Sequence, residues 1–268
     1  MKSGRSFANA SAVFCLFFSI SAAYPQDRQQ NRPPVPAPPL SGHPSAEDKL
    51  LLDATNRERS AAGLQPLKWD EALATAARQH AQVMVSQNLL LHQCLDEPPL
   101  DQRAAKAGAR FSMIAENIAV GPNPETIHNG WMHSPGHRKN ILNADVSAVG
   151  IATMRGSGGL FAVQDFSRPV EALSFEQQEE KVVSLLKGNG LLTAEVTADA
   201  RKTCGLDHGF AGAPASYAIR FEATDLNKLP DDLLQKVKSR AYRKAAVGAC
   251  RGGDTAGFTR YHIAVLLN

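Results

Sequence analysis

Two early stretches carry apolar residues at helical spacing. Ser45 is a cap followed by the early acids Glu47 and Asp48, and Gly63 suits the far end of that helix. Asp70 caps a second helix running to about Asn88. Its Leu73, Ala76, Ala77, His80 and Met84 fall three and four apart on one face. His80 lies on that stripe, where a lone histidine reads as a hydrogen-bonded core residue, so it is left out of the site. Asn123 and Pro124 open a third helix, which Pro135 cannot continue. Val146 to Met154 and Leu160 to Phe166 are short apolar runs around Arg155-Gly156-Ser157-Gly158-Gly159, the pattern of a strand hairpin.

Pro169 marks a boundary, after which a second set of elements begins. Ser174 with Gln177 three residues on opens a helix that ends near Gly188. Leu192, Ala194, Val196 and Ala198 alternate with polar residues, and Tyr217, Ile219 and Phe221 alternate again, both at strand period. Asp231 caps a helix with core line Leu233, Val237, Ala241 and Ala245, and Tyr261 to Leu267 gives a third strand. This order predicts a small α+β domain over 171–268. Lys236, Lys238, Arg240, Arg243 and Lys244 make its long helix basic, which reads as a solvated face.

The N-terminal residues read as an address. Lys2 and Arg5 precede an apolar run from Ala12 to Ile20, and Ser21-Ala22-Ala23 supplies small residues for cleavage. Residues 1–23 are expected to be a signal peptide, and 24–46 a proline-rich linker of extended type. The mature protein is expected to be secreted, extracellular or periplasmic, with no transmembrane segment. The formal charge of the 268 residues is +3, and loss of Lys2 and Arg5 takes the 29 basic residues to 27 against 26 acidic ones. That balance is no electrostatic footprint for nucleic acid. Of four cysteines, Cys15 falls in the leader; Cys204 and Cys250 flank the second domain's central elements and are expected to pair. Cys94 is then odd: free, paired between molecules, or a soft ligand beside His92.

The densest chemistry runs from Ala115 to Leu142, AENIAVGPNPETIHNGWMHSPGHRKNIL. It holds Glu116-Asn117, Trp131, and His137 at a helix end after Ser134-Pro135-Gly136. WMHSPGHRKNIL resembles the Gly-His signature of the CAP superfamily of cysteine-rich secretory proteins, antigen 5 and pathogenesis-related proteins of group 1. AENIAVG is similar to that family's Glu-Asn-Ile element, NRERSAAGLQPLKWDEALATAARQHAQVM to the opening helices of its bacterial branch, and QDFS (Gln164 to Ser167) to its closing strand. Together these blocks span about residues 47 to 168. The resemblance implies a three-layer α-β-α sandwich over 47–170, followed by the small α+β domain.

It also implies a cleft with two histidines, His92 and His137, joined by Glu116. A second acid is implied between His92 and the Glu-Asn element, where Asp96, Glu97 and Asp101 lie; spacing selects none of them. Ala115 stands where the family usually has glycine. Two neutral imidazoles and a carboxylate suit zinc or a similar divalent cation, weakly bound with an open fourth position. The same set also suits a hydrogen-bonding cluster that positions a ligand without metal. HExxH, G-x-S-x-G and the phosphate-binding loop are absent from the sequence. Three readings stay open. One is an exported binding module for a small-molecule, lipid-like or cell-envelope ligand. The others are a metal-dependent hydrolase and an envelope scaffold acting through residues 171–268.

Overall fold

In the computed structural model, which describes residues 44–252 and 257–268, the first described feature is a capping box. Ser45 Oγ accepts from Asp48 N at 3.1 Å, and Asp48 Oδ2 accepts from Ser45 N at 2.9 Å. The expected leader and nearly all of the linker lie outside the described residues. From this cap the chain forms α1 (Ala46–Ala61), β1 (Lys68–Trp69), α2 (Glu71–Gln87), α3 (Leu100–Lys106), β2 (Phe111–Gly121), α4 (Pro124–His133), α5 (Pro135–Ile141), β3 (Ala148–Gly156) and β4 (Gly159–Pro169). The strands join in the order β1-β3-β4-β2, antiparallel except for β1 against β3.

Strand alternation divides the core between two faces. Val149 and Ile151 of β3 and Leu160, Ala162 and Phe166 of β4 pack with Leu51 of α1, Ile127 and Trp131 of α4 and Ile141 of α5. Ala152, Phe161 and Val163 face the other way, against Ala77, Ala81 and Met84 of α2. Helices therefore cover both faces, giving a three-layer α-β-α sandwich. Small residues on the second face, Ala148, Gly150 and Ala152, let α2 lie close. A Cβ added at Gly150 would stand 2.0 Å from Ala74 N and 2.2 Å from the Leu73 carbonyl carbon.

The second core uses α6 (Phe175–Gly188), β5 (Thr193–Val196), α7 (Ala198–Cys204), β6 (Tyr217–Ala223), α8 (Asp231–Lys238), β7 (Lys244–Cys250) and β8 (Tyr261–Leu267), in a sheet of order β5-β7-β8-β6. Val182 and Leu186 of α6 and Leu233 and Val237 of α8 share one cluster with Val247, Ile263 and Val265. The expected Cys204–Cys250 disulfide is formed, with its Cα atoms 5.7 Å apart. Among the described residues, no helix is long and apolar enough to cross a membrane.

Two expectations about residues 171–268 are overturned. The helix from Asp231 does not run through Ala241 and Ala245: it stops at Lys238, Arg240 takes a left-handed φ of 56°, and Ala245 lies in β7. Ala245, Val247 and Ala249 alternate into the core between β5 and β8, and these neighbours outweigh a helical spacing made only of alanines. The five basic residues thus form no single helical face. The run through Ala198 is also not one strand, because Thr197 Oγ1 accepts from Ala200 N and starts α7.

Gly150→Ala should drive its methyl group into the α2 backbone and cost about 3 kcal/mol, roughly 6–12 °C in Tm for a chain of this size. Gly130→Ala, in α4 with open space around the added carbon, should be neutral or gain up to about 1 kcal/mol. Thermal melts of the two variants side by side check the close approach, and equal melting points would refute it.

Candidate functional site

The outer edge of β2 carries the candidate site. Alternation sends Glu116 to the α2 face and Asn117 to the α1 face. Glu116 is 7 % exposed although it is a carboxylate, so its oxygens need partners. His92 Nδ1 donates to Oε1 at 2.8 Å, and Arg103 Nη2 donates to Oε2. Arg103 lies on α3 and is itself 4 % exposed. Its Nη1 donates to His92 O at 3.1 Å and Pro98 O at 3.3 Å, so one guanidinium holds both the carboxylate and the loop carrying His92.

Behind this pair lies a second polar layer. His80 Nδ1 donates to Glu97 Oε2 at 2.7 Å, and Cys94 N donates to the same oxygen at 3.3 Å. Of the three acids that spacing could not separate, Glu97 alone joins this layer. His80 is a fully buried, hydrogen-bonded residue as expected, but its Nε2 reaches to 3.8 Å from Glu116 Oε2 and so forms the inner wall of the site. Cys94 is a buried free thiol, and burial pushes its pKa up, keeping it protonated. Asp165, opposite Glu116 on β4, is wholly buried, and no hydrogen bond from a described residue reaches either oxygen. Burial, and then the Glu116 charge, push its carboxyl well above the ordinary range.

His137 comes from the other face. Pro135 starts α5, placing His137 in its first turn; His137 O accepts from Asn117 Nδ2 at 3.2 Å. Asn140 ties α5 to the strand edge, donating through Nδ2 to Glu116 O at 3.2 Å and Asn117 Oδ1 at 2.9 Å. The far end of α5 is held by buried Arg59, whose guanidinium donates to the carbonyls of Gln65, Ile141, Asn143 and Val146. No hydrogen bond from the His137 ring to another described residue is formed. Its pKa is lowered by burial and then by the charge of His92.

Of the three candidate ligands, His92 and Glu116 are therefore in direct contact, with His137 across the strand edge. The donor set suits a divalent ion, and the unpartnered His137 ring leaves a ligand atom available. Glu116 is the restricted member, with Arg103 on one oxygen and His92 on the other. The described residues whose ligating atoms all lie within 4.8 Å of one another are instead His80, Cys94 and Glu97, where Arg103 stands 3.7 Å from Glu97 and supplies positive charge already. Arg103, Glu97 and Asp165 were not singled out from sequence. Pro99 ahead of Asp101 was the available signal for α3, and nothing local marks Arg103 as buried.

The family model for the cysteine-rich secretory protein family matches residues 52–166. YkwD of Bacillus subtilis is 36 % identical over 121 residues, 45 % of this chain and 47 % of that protein. Pathogenesis-related protein 1 of Arabidopsis thaliana is 34 % identical over 125 residues, 45 % of this chain and 74 % of that one. A solved extracellular protein containing an SCP domain from Bacillus anthracis is 29 % identical, with TM-score 0.41, over 48 % of this chain and 45 % of that one. The chain belongs to the cysteine-rich secretory protein (CAP) family. It spans about half the length or less of the two Bacillus subtilis relatives, 47 % of YkwD and 32 % of the membrane protein YlbC.

The His92 pKa is raised, chiefly by its hydrogen bond to Glu116. A raised histidine pKa contributes stability that is fully present below the unfolded value of about 6.5 and is lost as pH rises through the folded value. Ring-proton NMR should show His92 titrating above that ordinary value and His137 below it, with Glu116→Gln bringing His92 back down. His92 titrating below His137 in the wild type would contradict the contact.

Proposed function

We propose that the protein is an exported, non-catalytic binding module. Its cleft at the β2 edge takes zinc or a similar divalent cation together with a lipid-like cell-envelope ligand. The observation that carries this reading is the engagement of both Glu116 oxygens, one by His92 and one by Arg103. A carboxylate so held is a poor general base for a bound water. It is well placed to orient His92, fixing the proton on Nδ1 and leaving Nε2 as the ligand atom, as carboxylates do for metal-binding histidines. His92 and His137 would hold the ion, with Glu116 closing the set only if His92 yields its oxygen. The ion would supply a positive centre for an anionic or carbonyl group of the ligand.

Support for an apolar ligand comes from the cleft's lip. Leu89, Leu90, Leu91 and Leu95 bracket His92 and are all exposed, Leu95 to 78 %. Exposed leucines clustered beside a polar cleft suit an acyl chain better than a sugar or a soluble peptide. Export is supported by the leader-like residues 1–23 and by the Cys204–Cys250 disulfide, which an oxidising compartment preserves.

Titration calorimetry with zinc at pH 7.5 tests the metal site. His92→Ala and His137→Ala should abolish binding, and Glu116→Gln should weaken it about 10–100-fold. Because the His92 proton competes for the ligand, affinity should rise with pH through a window above about 6.5. Unchanged affinity in both histidine variants would sink the metal site, and chelator-sensitive hydrolysis of peptide or ester panels would replace the binding module with an enzyme.

A further inference from the structure

The two cores meet along the start of β2. Thr259 N donates to Phe111 O at 2.8 Å, the Phe111 and Phe258 rings meet edge to face at 5.2 Å, and Val170 N donates to Arg110 O at 2.8 Å. Over this seam lies a cavity of about 660 Å³, within the range of ligand pockets. It shares Glu222, Phe258, Thr259 and Arg260 with a neighbouring cavity of about 440 Å³, so the two make one groove.

Three kinds of chemistry face the larger cavity. Arg110 and Arg251 line it, both exposed, and neither is in a salt bridge with a described residue. Among the described residues of that wall the one acid, Glu222, is taken by Arg260 at 2.6 Å, so these residues carry a surplus of positive charge. Phe175 and Phe258 present aromatic faces, 42 % and 37 % exposed. Gln178, on the first turn of α6 and 5 % exposed, donates through Nε2 to Leu173 O at 3.0 Å, while its Oε1 has no partner among the described residues. Buried acceptors are rarely left so.

We propose that this inter-domain groove binds the C-terminal end of a peptide whose last residue is apolar. The carboxylate meets the guanidinium forks of Arg110 and Arg251, which favour bidentate pairing. The aliphatic side chain packs on Phe175 and Phe258, an amide N–H donates to Gln178 Oε1, and upstream residues continue into the smaller cavity. Inorganic phosphate would use only the arginines. A sugar acid would leave the phenylalanine faces without an aliphatic partner. A peptide terminus uses all three features.

The test is fluorescence anisotropy with the full chain and the labelled pentapeptide Gly-Ala-Gly-Ala-Leu, as the free acid and as the C-terminal amide. The free acid should bind at least tenfold more tightly than the amide. Arg110→Gln, Arg251→Gln and Phe175→Ala should each weaken it at least threefold with unchanged melting temperature, since all three side chains are at the surface. His137→Ala should bind as wild type, which separates this groove from the metal cleft. Equal binding of acid and amide, or none up to millimolar protein, would overturn the proposal. So would competition by inorganic phosphate or a galacturonic acid trisaccharide as strong as by the free acid.

Discussion

The geometry of the candidate site depends on one buried guanidinium. Arg103, Glu97 and Glu116 are all nearly out of water, and each charge would cost several kcal/mol there if left alone. Arg103 stands between the two carboxylates, and its Nη1 donates to the carbonyls of His92 and Pro98. The irregular 89–99 loop is thus folded around a charge and owes little to apolar contacts, most of its leucines being exposed. Asp165 follows from the same constraint. A third carboxylate at this depth meets the cost of burial and the Glu116 charge, which raise its pKa well above the ordinary range.

A second arginine does the corresponding work on the opposite face with different partners. Arg59 pairs with no carboxylate among the described residues; its guanidinium gathers carbonyls at and just beyond the C-terminal end of α5, where the helix dipole favours positive charge. Burial lowers its pKa, yet that pKa starts so high that the charge is kept. The loop bearing His92 and the helix bearing His137 are therefore each held by an arginine from another element. The two imidazoles are thus carried on independent supports.

This division explains what was legible in the sequence. Caps and apolar periodicity are local, so α1, α2, α4 and the β3–β4 hairpin could be read from Ser45, Asp70, Asn123 and the glycines at 156, 158 and 159. His92, Glu116 and His137 could be chosen by resemblance, since their motifs are local too. Arg103 and Arg59 could not, because an arginine on a short or amphipathic helix looks like a solvated charge until its distant partners are known. Glu97 was hidden for the same reason: its partner His80 is seventeen residues away, on another element. In the second domain the alanine-rich run 241–249 fits helical and strand spacing alike. Only pairing with β5 and β8 decides it.

The strand that carries Glu116 is also an edge strand, and edges must be covered. β2 is covered at two places. At Phe111 the segment around Phe258 adds a parallel bridge from the second domain, and at Glu116 and Asn117 the Asn140 side chain of α5 takes the outward-facing groups. The two covers are five residues apart, about 17 Å along the strand. Gly257 sits against the Asp101 carbonyl of α3, the same short helix that presents Arg103, with so little space that an added Cβ would stand 2.5 Å from that oxygen. The second core thus bears on both supports of the candidate site, the strand and the helix. A site whose charged floor rests on α3 is built on the seam between the two cores as much as on the sandwich itself.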